Sequence, residues 1–170
     1  MAQEAEITER ARVEASQVML ADRLRGALGS EAVFVLGTGM RVSGRLGCVG
    51  RDWFVLAEGM RQWLVPMESL GYVEALGRPV HKTENVGVAS LPLPGAIRRL
   101  ARDRAEVAVH VATGQDRGRV LEGVIDGVGH DFLDLAVTRG ETRRREAVAL
   151  VATVPFASLE AVCSIGPRDY

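Results

Sequence analysis

The sequence predicts a mainly β protein with helices, built as two five-stranded units in tandem, each preceded by an α-helix. Three observations predict it. First, a glycine-led segment occurs twice: Gly44, Leu46, Val49, Gly50, Asp52, Trp53 and Leu56 are answered by Gly123, Ile125, Val128, Gly129, Asp131, Phe132 and Leu135, each 79 residues on. Internal repetition decides an architecture before any local reading does. Second, short apolar runs separated by glycine-marked turns follow one another in both halves, the signature of a small barrel or sandwich. Third, a helical period precedes each series of strands.

The elements follow in order. Residues 4–28 carry Ile7, Ala11, Val18, Ala21, Leu24 and Leu28 at three-, four- and seven-residue steps with charges between, which predicts one amphipathic helix. Gly29 stops it, and its first turns hold so little apolar surface that this end should project. Strands are expected over 33–36, 41–49, 53–57, 62–67 and 70–75. Residues 77–94 contain three prolines and no period, and read as a linker between residues 1–76 and 95–170. A short basic helix over 95–104 leads into strands at 107–111, 119–128, 132–137, 147–154 and 159–165. The ends of the halves match again, Val65-Pro66 with Ser69-Leu70 against Val154-Pro155 with Ser158-Leu159, now 89 residues apart. Ten extra residues therefore lengthen the second half's third hairpin, which carries Arg143, Arg144 and Arg145.

Composition narrows the function classes. The formal net charge is −1, from 21 basic and 22 acidic residues. A protein that coats nucleic acid non-specifically needs a large cationic excess, so that class is not expected. Cys48 and Cys163 sit in apolar runs, away from any second cysteine or a histidine at metal-ligand spacing, and read as small hydrophobes in a reducing compartment. The polar, acidic start is no secretory signal, and no run approaches the about 18 apolar residues of a membrane helix. A cytoplasmic location is the expectation, with no membrane partner.

Each half, as helix and five strands with a glycine inside the second strand, resembles the Sm-like fold, including its bacterial Hfq type. Gly44 and Gly123 fall where that fold bends its second strand, and a bent strand favours a residue without a side chain. The turn with Asp52 or Asp131, the apolar strand after it, and the Val-Pro-x-x-Ser-Leu pattern also match. The tandem layout is similar to uncharacterised two-repeat proteins of high-GC Gram-positive bacteria. The resemblance implies two small, bent Sm-like barrels joined through their fourth and fifth strands, within one chain or around a ring. The residues with which that family reads uridine are not matched. Trp53 and Phe54, or Phe132 and Leu133, stand where an asparagine is expected. Pro66, Met67 and Glu68, or Pro155, Phe156 and Ala157, stand in place of its Arg-Gly or Tyr-Lys-His.

The candidate sites follow from this. Gly44, Gly50, Asp52, Gly123, Gly129 and Asp131 define the repeated unit, with the two aspartates read as turn caps. A cleft holding Asp52 or Asp131 beside another carboxylate would instead open an enzyme reading. His81, His110 and His130 are scattered, and no nucleophile-base motif or phosphate loop is present, so no cofactor or metal is expected. Arg98, Arg99, Arg102 and Arg104, with Arg143, Arg144 and Arg145, are the basic clusters. They read first as solvated faces beside acids, and second as nucleic-acid contacts. Trp53 and Val55 share one face of a strand whose other face, Phe54 and Leu56, is equally apolar. The run 147–157, with Val148, Leu150 and Phe156, is uncharged and reads as buried on both faces. These are the candidate interface. The function expected is a non-catalytic binding or assembly module whose partner is itself or another protein, with an RNA-binding protein as the alternative.

Overall fold

A computed structural model describes residues 1–82, 87–114, 118–139 and 150–165 of the chain. It is mainly β. Helices α1 (Ala2–Ser16) and α2 (Leu20–Gly26) precede β1 (Glu31–Leu36), β2 (Arg41–Val49), β3 (Trp53–Glu58), β4 (Arg61–Pro66) and β5 (Leu70–Glu74). Helix α3 (Leu93–Arg102) precedes β6 (Glu106–Val111), β7 (Arg119–Val128), β8 (Phe132–Arg139), β9 (Val151–Pro155) and β10 (Leu159–Ser164).

The helix expected over 4–28 is two helices. Asp22 accepts the Met19 N–H at 3.2 Å and starts α2 afresh. Every residue of α1 is exposed, whereas α2 buries Leu24 against β2. The segment expected to be a plain linker holds a 3-10 turn at Gly87–Ser90, and α3 begins at Leu93.

All ten strands form one antiparallel sheet in the order β5-β1-β2-β3-β4-β10-β6-β7-β8-β9. Each half thus places its own strands in the order fifth, first, second, third, fourth. The two ladders agree residue for residue. Val55 faces Leu64 as Asp134 faces Thr153, and Ala32 faces Gly44 as Val107 faces Gly123. One irregularity coincides, between Leu46 and Cys48 and between Ile125 and Gly127, while the shift between Glu122 and Gly123 is found in the second half. The hydrogen-bonded order is linear. Neither half closes on itself through a ladder, so the expected pair of barrels is, in its hydrogen bonding, one open sheet with β5 and β9 at its edges.

The duplicated glycines have a steric reason. A Cβ on Gly44 would lie 2.8 Å from the Ala57 carbonyl oxygen, and one on Gly123 would lie 2.2 Å from that of Ala136. Neighbouring strands approach too closely there for any side chain. At Gly50 and Gly129 the obstacle is the ring three residues on, Trp53 or Phe132, at 2.1 and 2.2 Å from the missing Cβ. Both turns are then closed by matched bonds: the Gly50 N–H donates to the Trp53 carbonyl and the Gly129 N–H to that of Phe132, each at 2.8 Å.

The core lies in two clusters, and neither belongs to one half. The first gathers Leu24, Phe34, Phe54, Leu56 and Trp63 with Ala161 and Cys163 of the second half. The second gathers Ile97, Val109, Leu133, Leu135 and Leu159 with Trp53 and Leu64 of the first. This accounts for β3 being apolar on both faces, since Phe54 and Leu56 fill one cluster while Trp53 fills the other.

Gly123→Ala should therefore cost about 1–3 kcal/mol, the scale of overpacking against backbone that cannot yield. Gly127→Ala, whose Cβ would sit 3.6 Å from its nearest neighbour, should stay within about 0.5 kcal/mol. Urea titration of both variants checks the contrast.

Candidate functional site

The site is the line where the halves meet and the cleft at one end of it. Strand β4 pairs with β10 through Leu64 opposite Val162 and Trp63 opposite Cys163. So short a ladder needs side-chain support. The Ser69 hydroxyl donates to the Leu159 carbonyl at 2.6 Å, and the Gln62 N–H to the Ser164 hydroxyl at 2.8 Å. Glu160, 3% exposed, accepts the Thr38 N–H at 3.0 Å and the Thr38 hydroxyl. A buried carboxylate is tolerable only with such donors. Ser69, Thr38 and Glu160 were not legible as junction residues, because their partners lie 90 or more positions away.

The β2–β3 turns and the turns after β4 and β9 of both halves converge with the start of α3 on a cleft of about 680 Å³. It is lined by Arg51, Asp52, Glu68, Arg98, His130 and Asp131, with prolines 66, 92, 94 and 155 and Phe156 between them. The two aspartates play matched backbone roles: the Asp52 carbonyl accepts the Met67 N–H at 2.9 Å, and that of Asp131 the Phe156 N–H at 2.8 Å. Their side chains differ. The Asp52 carboxylate accepts the Leu93 N–H at 2.9 Å and caps α3, where the helix leaves its first N–H groups unpaired. Asp131 is exposed and caps no helix among the described residues. The same asymmetry holds for the rings. Trp53 is 5% exposed and donates its indole N–H to the Leu91 carbonyl at 2.8 Å. Phe132 is 36% exposed.

The other expected site residues separate. Arg98 lines the cleft, its guanidinium 3.5 Å from the Gly129 carbonyl. Arg99 lies near Cys48, whose thiol feels its charge. Arg102 is exposed at the last turn of α3. None of the three is in an ion pair among the described residues. Arg143, Arg144, Arg145 and Val148 lie outside the described residues. Val55 packs against the second cluster and Phe156 is half-buried beside it. Leu150 is 60% exposed, and Val151 is exposed too. The expectation of a strand buried on both faces thus fails over 150–153, because β9 is an edge strand and only Val154 reaches the core.

The cleft brings Asp52, Asp131 and Glu68 together, the feature an enzyme reading would ask for, but Asp52 is committed to α3. Among the described residues no group of three His, Cys, Asp or Glu is placed to hold a metal ion. Burial raises the Cys163 thiol to about 11, with the Arg61 charge opposing, and burial also raises Cys48. At neutral pH both stay protonated, and the thiolate is the reactive form. Both are free thiols. No helix among the described residues is long and apolar enough to cross a membrane.

At the junction His110 of β6 lays its ring against Trp63, centroids 5.0 Å apart. Burial lowers its pKa, with the charge of Glu160 opposing. The folded protein therefore binds this proton less readily than the unfolded chain. Stability from the neutral ring is complete above the ordinary value of 6.5 and is lost as pH falls below it. Acidifying from pH about 7.5 to about 5 should lower the urea midpoint more for the natural chain than for His110→Gln. Asp52→Ala should cost about 0.5–2 kcal/mol through the lost cap, and Asp131→Ala less than about 0.5 kcal/mol, both read by thermal melts. No family model, curated protein or solved structure matches the chain.

Proposed function

We propose that the protein is a non-catalytic, cytoplasmic binding module made of two Sm-like units, with the assembly contact of that fold used inside one chain. The observation that carries the reading is the β4–β10 pairing between two halves of identical strand order. Joining the fourth strand of one unit to the fifth of the next is how Sm-like proteins assemble. The close strand approaches at Gly44 and Gly123 support a bent second strand in each unit. In this reading the ligand is taken up in the cleft between the two sets of turns, whose proline and aromatic lining suits a protein or peptide surface. Two protonated, free cysteines, Cys163 buried and Cys48 half-buried, favour a reducing compartment.

The second reading is RNA binding. Arg51, Arg98 and His130 in the cleft lining favour it. Fluorescence anisotropy with single-stranded RNA across a salt series separates the two. The binding-module reading expects no salt-sensitive binding. RNA binding expects affinity that falls with salt, with a shallower slope in Arg51→Ala/Arg98→Ala because each phosphate contact releases about one counterion. The two-unit reading itself predicts that Leu64→Glu, which places a charge in the second cluster, exposes β6–β8 amides to hydrogen exchange as well as those of the first half. Retained protection in β6–β8 would count against it.

A further inference from the structure

We propose that the β4–β10 junction is the one edge pairing this chain makes, and that Tyr72, Glu74, Asp134 and Thr153 confine it there, so that the protein is a single chain of two units and not a ring. The inference rests on the two-unit reading above and adds which residues set the limit.

The matched registers locate, at each free edge, the counterpart of every junction residue. On the β10 side, Ala161 and Cys163 point into the first cluster and are 0% and 3% exposed. They face His110 and Ala108 of β6. At the β5 edge the same positions, facing Val35 and Val33 of β1, are Tyr72 and Glu74. Both are exposed, and Glu74 forms an ion pair with Arg41 at 3.0 Å. On the β4 side, Leu64 and Val55 face each other and pack in the second cluster. At the β9 edge their counterparts are Thr153 and Asp134, whose hydroxyl and carboxylate hydrogen-bond to each other at 2.6 Å.

A second chain repeating the junction would lay its β5 along β9. Its Glu74 would turn toward the core of the second half and lose its water. Its Val73 would meet Thr153 and Asp134 where Val162 meets Leu64 and Val55. Moving a carboxylate from water against an apolar core is costly, and charges directed inward from an edge strand are a known device against edge-to-edge addition. The apolar residues exposed at β9, Leu150 and Val151, do not contradict this. They correspond to Arg61 and Gln62, which the internal junction itself leaves exposed.

Light scattering on the full chain decides the matter first. The expected mass is that of one chain, 18.3 kDa, across a concentration series; a stable multiple overturns the proposal. Two variants test the named residues. Tyr72→Ala/Glu74→Val repairs one edge and Asp134→Val/Thr153→Leu the other. Each alone should remain one chain, and an equimolar mixture should give a two-chain species, a result non-specific aggregation would not produce. If both variants show native circular dichroism and their mixture stays at one chain, these residues do not set the limit. The underlying two-unit reading is checked separately by Gln62→Cys with Ser164→Cys. A disulfide formed within one chain upholds β4–β10 pairing, and failure to form it would sink that reading whatever the mass.

Discussion

The structure depends on an exchange of side chains across a two-residue ladder. Ala161 and Cys163 complete the core of the first half, and Trp53 and Leu64 complete that of the second. Two or so backbone hydrogen bonds would contribute little by themselves, since a protein hydrogen bond nets about 1 kcal/mol against water. Burying these four side chains, of which Trp53 and Leu64 are the large ones, contributes several times as much, at about 25 cal/mol for each Å² removed from water. Units of this size are marginal alone. Each half therefore reaches a sufficient core only by lending part of itself to the other, which makes the sheet one cooperative body although its ladders read as two units.

The two halves share a backbone plan and diverge in what covers it. In the first, the segment leading into α3 lies over the β2–β3 turn. The Leu91 carbonyl accepts a hydrogen bond from the Trp53 indole N–H, and Asp52 caps the helix. In the second, Phe132 keeps the ring-over-glycine contact but carries no donor, and Asp131 is exposed. The tryptophan and phenylalanine thus serve one steric function, shielding a glycine turn, while only the tryptophan serves as an anchor. The same division governs the free edges. Positions that are apolar inside the junction are charged or hydroxylated outside it, so chemistry and not backbone geometry distinguishes the paired edge from the open ones.

Much of this was legible in the residues. Strand limits came within one or two residues for most of the described strands, because alternation and glycine turns are local signals. The glycine pairs marked sites of close approach, and the two-faced apolarity of Trp53 to Leu56 announced that the second face must be covered. The misreadings have a common cause. Residues 4–28 carry an uninterrupted helical period, and the break at Met19 arises from Asp22 bonding back to the backbone. Leu150 and Val151 are as apolar as a core strand, yet lie on an edge, because hydropathy reports what a residue tolerates and not which neighbour the topology supplies. The cleft residues Arg51, Glu68 and His130 gave no sign of belonging together, being brought from two turns and a 3-10 segment far apart in the chain.

The sequence by itself determined the number of strands, the places where the second strand of each half must come close to its neighbour, and the likeness of the two halves. These are consequences of period, of missing side chains and of repetition, all readable within short windows. Only the tertiary structure decided that β4 takes β10 as its neighbour, that the sheet stays open, and that Asp52 caps a helix while Asp131 does not. Those outcomes turn on contacts and desolvation between residues as much as 122 positions apart, and a window of sequence holds no measure of what will lie across from it.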